Sequence, residues 1–329
     1  MKNGPGLKIA PQLPGPGRPG PRAGASAFFI CMFVVLIGAP FLINPVFAMN
    51  VLCFGIFACA FNLLLGYGGL LSFGHASFFG SAAYMCAYAA KVWHWPPELA
   101  LLSGTAFATA LGLCFGALAI RRQGIYFAMI TLALAQMVYF ICVQASFTGG
   151  EDGIQAVPRG YLFGFIDLAN DRSLYYFVAA IFCVSMVAIH RIINSPFGQI
   201  VKAIRDNELR AVSLGYRTSH YKLIIFTLSA GLAGLAGATK VLVLQLASLT
   251  DVHWAMSGEV ILMTLLGGLG APFAPNLGAL LILTIQNYMS GLGGWVTFIQ
   301  GIVFIFCVVA LRKGIVGLLT QMFRRVKNK

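Results

Sequence analysis

Residues 23–90 read AGASAFFICMFVVLIGAPFLINPVFAMNVLCFGIFACAFNLLLGYGGLLSFGHASFFGSAAYMCAYAA, 68 positions without one Asp, Glu, Lys or Arg. A helix that crosses a bilayer needs about 20 apolar residues, so this stretch has room for three crossings. Further uncharged runs cover 99–120, 123–150, 173–190, 223–239 and 260–311. The predicted partition is 26–43, 46–65, 70–90, 99–119, 125–146, 174–192, 223–248, 257–270, 275–291 and 295–311. That gives an all-α polytopic membrane protein of ten spans, or nine if the short eighth span only half-crosses. The breaks follow turn chemistry: Asn44-Pro45, then Gly66, Gly68 and Gly69, then Trp95-Pro96-Pro97, then Pro272 and Pro275. Only 9% of the 329 residues are charged and 59% are hydrophobic, whereas a soluble domain carries about 25% charged residues. An ordinary soluble protein is excluded.

The charges that remain are lopsided, 22 Lys and Arg against 9 Asp and Glu, for a net +13. In a soluble chain this surplus would point to nucleic acid. Placed on the ten spans, 18 of the 22 basic residues fall in 1–25, 121–122, 191–222 and 312–329, with only Asp206 and Glu208 as acids. Lys91, Arg159, Arg172, Lys240 and the other seven acids take the opposite side. The positive-inside rule then predicts that both termini are cytoplasmic. Nucleic acid loses its support as a partner, and membrane lipid replaces it.

The first 25 residues contain six Gly, six Pro and four basic residues, a composition unable to build a core. It predicts a disordered basic cytoplasmic tail, followed by a transmembrane domain over 26–311 and a second basic tail at 312–329. Basic residues, an apolar run and Val46-Phe47-Ala48 imitate a cleavable signal peptide. An uncleaved first span fits the even span count better. The eight cysteines lie mostly inside spans without Cys-x-x-Cys spacing, so no disulfide framework or metal site is expected. No catalytic constellation is present, nor a Gly-x-x-x-x-Gly-Lys-Ser/Thr loop, so the chain is expected to be no enzyme and to hold no cofactor. Any ATP would have to be hydrolysed on another polypeptide. Few ionisable residues fall within spans, which weighs against an ion-coupled carrier.

Residues 194–222 are the cytoplasmic stretch too long for a connector and too ordered for a tail. Asn194-Ser195-Pro196 signals a helix start, and Ile200, Ile204, Ala211 and Gly215 approximate one stripe interrupted at Asn207 or Glu208. Such a helix either lies on anionic lipid or inserts into a groove of a soluble partner.

The pattern of residues then adds to the physics. Ser195-Pro-Phe-Gly, Ala203-Ile-Arg-Asp-Asn-Glu208, Ala211, Gly215, Tyr221-Lys222-Leu, Phe226 and Ser229-Ala-Gly-Leu-Ala-Gly-Leu-Ala-Gly-Ala238 form one motif. Three more stretches accompany it: Asn62–Gly80, Thr148-Gly-Gly-Glu-Asp-Gly-Ile154 and Gly267–Gly278. Together, over about residues 45–311, they resemble the branched-chain amino acid ABC permeases of the LivM type. The resemblance implies a bacterial inner-membrane subunit of a binding-protein-dependent importer. It would work with two cytoplasmic ATPase subunits that bind ATP and magnesium, a second related permease and a periplasmic binding protein. It also implies that 194–222 is the segment coupling to the ATPase, with Ile204, Arg205, Asp206, Asn207, Glu208, Arg210, Ala211 and Gly215 as the contact residues. Leu209-Arg210-Ala211 stands where the family pattern has Glu-Ala-Ala. Related urea or amide permeases and monosaccharide permeases remain alternatives, and an ion-coupled secondary transporter stays as the reading from a different class.

Polar residues inside spans should face protein or a water-filled path. Asn62, Ser72, His75, Ser77, Thr131, Gln136, Gln144 and Glu259 are the candidates, each either an interhelical hydrogen bond or part of the translocation path. Gly231, Gly234 and Gly237, like Gly112 and Gly116, suit close helix packing in lipid. The outer loop 147–173, with six charges, offers a surface to a periplasmic partner.

Overall fold

The computed structural model describes residues 43–289 without interruption, and 32, 36–38, 40, 291, 295, 298–302 and 305 besides. The tails 1–25 and 312–329, most of the expected span 26–43 and most of 295–311 lie outside the described residues. The chain divides into two compact units, Met1–Leu42 and Ile43–Lys329. In the first, residues 32, 36–38 and 40 are helical; the second carries everything that follows.

Its helices are α1 (Pro45–Asn62), α2 (His75–Lys91), α3 (Pro97–Ala119), α4 (Ile125–Gln144) and α5 (Asp171–Asn194). They continue as α6 (Pro196–Asp206), α7 (Glu208–Ser213), α8 (Thr218–Leu244), α9 (Trp254–Gly267) and α10 (Ala274–Met289). A π turn, Leu63–Tyr67, extends α1. Among the described residues five helices are long and apolar enough to cross a membrane: α1 with its π turn, α3, α4, α5 and α8. At 1.5 Å per residue the 14-residue α9 reaches about 21 Å, short of the roughly 30 Å hydrocarbon core.

Hydropathy alone misplaces some ends. The third span was expected to begin at 70, but helix α2 starts at His75. Gly69 adopts φ +69°, which ends the π turn and sends 70–74 along a non-helical course. Leu70, Ser72 and Gly74 of this stretch are buried, so its polar groups need partners. Phe73 donates its N–H to Thr131 Oγ1 at 3.2 Å, and Gly74 donates to Ser72 Oγ at 3.1 Å. Helix α8 likewise stops at Leu244, before the expected 248, because Gln245 turns to φ 55° and Leu246–Ala247 becomes a strand.

Helix α8 is the hub, packed against α1, α2 and α3. Gly116 of α3 meets Leu223 and Gly104 meets Ala238, so α3 runs antiparallel to α8. The Arg121-Arg122 turn and the 195–217 segment therefore share one end of the bundle, here termed the basic end. Small residues allow the close approach. A Cβ on Gly231 would press on Thr109 of α3, one on Gly234 on Ala108 of α3, and one on Gly237 would overlap the Phe79 carbonyl of α2.

At the opposite end, the 147–173 loop is clasped to the end of α8. Strand β1 (Ile154–Gln155) pairs antiparallel with β4 (Leu246–Ala247), and β2 (Tyr161–Leu162) pairs with β3 (Ile166–Asp167). Arg159 donates to the carbonyls of Leu242 and Val243 at 3.2 and 2.9 Å and to Asp171 Oδ1 at 2.8 Å. These are the orphan carbonyls that a helix C-terminus leaves exposed. Lys91 at the end of α2 adds a bond to the Gln155 carbonyl at 2.8 Å.

Candidate functional site

The basic end is built around α6 and α7. Ser195 caps α6, its Oγ accepting from the Gly198 N–H at 3.2 Å, with Pro196 in the first turn. At Asn207 the backbone leaves the helical region, φ −158° and ψ 98°. Its side chain caps the next helix, accepting from Arg210 N–H at 2.9 Å. The segment is thus two short helices joined at a capped break. Helix α7 ends on Gly215, φ +87°, with Tyr216 N–H bonded to the Ala211 carbonyl and Gly215 N–H to Val212. That paired arrangement uses the left-handed residue glycine supplies without strain.

Three links hold this elbow to the bundle. Lys222 at the start of α8 pairs with Glu208 at 2.6 Å. Arg205 donates to the Gly66 carbonyl and holds Asp206 Oδ1 at 2.9 Å. Val201 and Ile204 bury the inner face of α6, and Ala211 does so for α7. Of the expected contact residues, Ile204 and Ala211 therefore face the bundle, Arg205 and Glu208 tie the elbow down, and Asn207 and Gly215 shape it. Asp206 and Arg210 are exposed. Apolar side chains project outward beside them: Leu209 is 84% exposed, with Leu214 at 70% and Val212 also uncovered.

The polar residues within spans separate into two groups. Asn62 Nδ2 donates to the Ala271 carbonyl at 2.9 Å and its Oδ1 accepts from Gly270 N–H at 3.2 Å, binding the end of α1 to the α9–α10 turn. Ser77 Oγ bonds the Gly74 carbonyl at 2.6 Å, and Ser72 and Thr131 support the 70–74 backbone. His75 is fully buried among Phe61, Phe78 and Phe226. Its Nε2 lies 2.9 Å from Ser229 Oγ, whose hydroxyl is already committed to the Ala60 carbonyl at 2.6 Å. A hydroxyl has one proton to give, so His75 is the donor and carries its proton on Nε2. By contrast Gln136 and Glu259 are only partly buried and Gln144 is exposed. Glu259 Oε1 accepts from Gln286 of α10.

One charged pair is deeper than its sequence position indicates. Lys240 meets Asp251 in the loop before α9, with Asp251 only 1% exposed, and its ammonium also lies 5.5 Å from the Phe54 ring centre. Lys240 reads as interfacial in the sequence because it stands near a span's end; the partner is eleven residues on, beyond a turn that hydropathy does not locate.

The family model for the branched-chain amino acid transport system permease component matches residues 46–310. The chain belongs to that family. This permease is 26% identical over 92% of its length to the high-affinity branched-chain amino acid transport system permease protein LivM of Escherichia coli, covering 77% of that protein. The LivM protein of Salmonella typhimurium is 27% identical over 80% of this chain and 68% of its own. The ribose import permease RbsC of Bacillus subtilis is 27% identical over 87% and 90%. No solved structure matches. The permease is accordingly a multi-pass membrane protein of an ABC transport family whose members are transport subunits. The matched region takes in the non-helical 70–74 stretch, the two-helix elbow and the short helix α9.

Proposed function

We propose that this chain is the membrane subunit of an ATP-driven importer of branched-chain amino acids, with the basic end in the cytoplasm of a bacterial inner membrane. Two ATPase subunits would hydrolyse ATP with magnesium, a second related permease would complete the path, and a periplasmic binding protein would deliver leucine, isoleucine or valine. The observation that carries this reading is the elbow. A capped two-helix segment, tied to three bundle elements, presents Leu209, Val212 and Leu214 outward. Exposed apolar groups on an otherwise charged surface mark an interaction site, and a helix laid into a groove is a common docking mode. The ties at Arg205 and Glu208 would carry a push on the elbow to the ends of α1 and α8. Ile204, Asn207, Ala211 and Gly215 then act by shaping and seating the elbow, while Asp206 and Arg210 flank its contact surface. Among the polar residues in spans, Glu259 and Gln136 are the more suited to line a path, because Asn62, Ser72 and Ser77 spend their bonds inside the bundle and His75 is fully enclosed by aromatic rings.

The test is co-purification. Leu209→Asp with Leu214→Asp should leave the permease folded yet abolish retention of the ATPase and ATP-dependent leucine uptake in proteoliposomes. Retained ATPase together with undiminished uptake would overturn the docking assignment. Gradient-driven uptake by this chain alone, indifferent to ATP, would instead establish a secondary carrier. A monosaccharide substrate is the second reading, favoured by the length of the match to the ribose permease. Competition of labelled leucine uptake by valine but not ribose decides between them.

A further inference from the structure

Beside the elbow lies a cavity of about 380 Å3 whose chemistry the docking role leaves unused. Tyr67, His190, Asn194, Lys202, Arg205 and Pro272 contribute to its wall, and among the described residues no carboxylate lines it. Arg205 is partly balanced by Asp206 on the outside. Lys202 is paired with no acid among the described residues: its ammonium bonds the Ile193 carbonyl at 3.1 Å and sits 5.5 Å from the Tyr67 ring centre. Burial and the nearby Arg205 guanidinium both push its pKa below the usual lysine value. A helix C-terminus offers only about half a unit of negative charge, shared among its unpaired carbonyls, so the cavity keeps a positive surplus.

A second observation says what kind of anion would fit. On α5 the exposed residues Tyr176, Ala180, Val184 and Val187 recur every three or four positions, and the same stripe continues to Arg191 and Asn194. That periodicity places them on one face. An apolar track about as long as an acyl chain thus runs down the helix and ends in polar and basic groups at the cavity mouth. A free phosphate has no use for such a track; a lipid has.

We propose that this cavity binds the phosphate of an anionic phospholipid from the leaflet at the basic end, with an acyl chain along the exposed face of α5. Lys202 and Arg205 provide the charge and the second N–H of the Asn194 amide a neutral donor, its first being given to the His190 carbonyl; Tyr67, whose hydroxyl donates to the Gly270 carbonyl at 2.6 Å, walls the cavity with its ring. Basic pockets between helices on the cytoplasmic side suit anionic headgroups for the same electrostatic reason. The consequence is that lipid composition would bear on the same residue, Arg205, that ties the elbow to α1.

The experiment reconstitutes the full-length chain in phosphatidylcholine vesicles containing a minority of phosphatidylglycerol, re-extracts it gently and quantifies retained lipid. Wild type should be enriched in phosphatidylglycerol over the vesicle. Lys202→Gln should lower that enrichment on the order of fivefold, and Asn194→Asp, which leaves both cations intact, should lower it similarly. Arg121→Gln with Arg122→Gln, at the same end of the bundle, should leave it unchanged. Unaltered enrichment in K202Q and N194D, or equal loss in the arginine control, overturns the site. In pure phosphatidylcholine, thermal stabilisation by inorganic phosphate that K202Q abolishes would assign the cavity to a free anion instead. The chain position is read by Val187→Trp: its fluorescence should be quenched more by brominated phosphatidylglycerol than by brominated phosphatidylcholine. Equal or absent quenching, as when protein covers α5, overturns the track.

Discussion

Helix α8 carries one lysine near each end, Lys222 and Lys240, and each forms an ion pair with the neighbouring segment. Eighteen residues separate them, five helical turns, so they stand on one face about 27 Å apart. That is close to the thickness of the hydrocarbon core. The pairs have the same chemistry and different surroundings. Asp251 is almost wholly enclosed, whereas Glu208 keeps about a quarter of its side chain exposed. The enclosed pair serves as a fixed joint, and the open one fastens the elbow where water reaches it. Charge type does not set the role; access to water does.

The largest effect should come from breaking the enclosed joint. Asp251→Ala leaves an ammonium buried without its counter-ion, and thermal unfolding in detergent should report a loss of about 3–5 kcal/mol. Lys240→Met with Asp251→Leu should recover most of it, since an apolar pair of similar volume carries no such penalty. Next in size is the packing that positions α8 itself. Gly237→Val drives side-chain atoms into the Phe79 carbonyl and should cost about 1–3 kcal/mol, measured as the same unfolding shift.

The open fastening should respond more weakly and in a different readout. Glu208→Gln should cost about 1 kcal/mol or less in global stability, because water screens a partly exposed pair. Hydrogen exchange across 196–217 should nevertheless accelerate, with exchange around Lys240 unchanged. Raised salt should mimic that local loosening at the open end and leave the enclosed one alone. Smallest of all, Leu209→Ser should alter stability by no more than about 0.5 kcal/mol, since an exposed side chain packs against nothing in this chain. A large destabilisation there would mean that the leucine seats the elbow rather than a partner.

Much of this was legible beforehand, and the physics explains which parts. Apolar runs of bilayer length are an additive signal, so eight of the ten expected spans correspond to helices among the described residues, while 26–43 and 295–311 lie mostly outside them. Gly66, Gly68 and Gly69 marked a break correctly but not its length, because residues 70–74 are as hydrophobic as a helix. Their non-helical course depends on hydroxyls from Ser72 and from Thr131, the latter 58 positions from the N–H it receives. The elbow's start at Ser195-Pro196 and the interruption at Asn207 could be read locally, since capping is local chemistry. Which of its residues face outward could not. Helical periodicity restarts after Asn207, so a stripe drawn through 200, 204, 211 and 215 joins two helices with different phases and passes over Leu209, Val212 and Leu214. The Lys240–Asp251 pair was hidden for a related reason, as its two halves lie on opposite sides of a turn.

The clasp at the far end has a consequence for whatever lands on it. Loops of this length usually surrender mobility when a partner arrives, and that ordering subtracts from affinity. Here Arg159, Lys91 and the β1–β4 pairing have already joined the 147–173 loop to the ends of α2, α5 and α8. A visitor meets a plate rather than a tether. Recognition there would resemble key meeting lock, and its force would reach three helices at once.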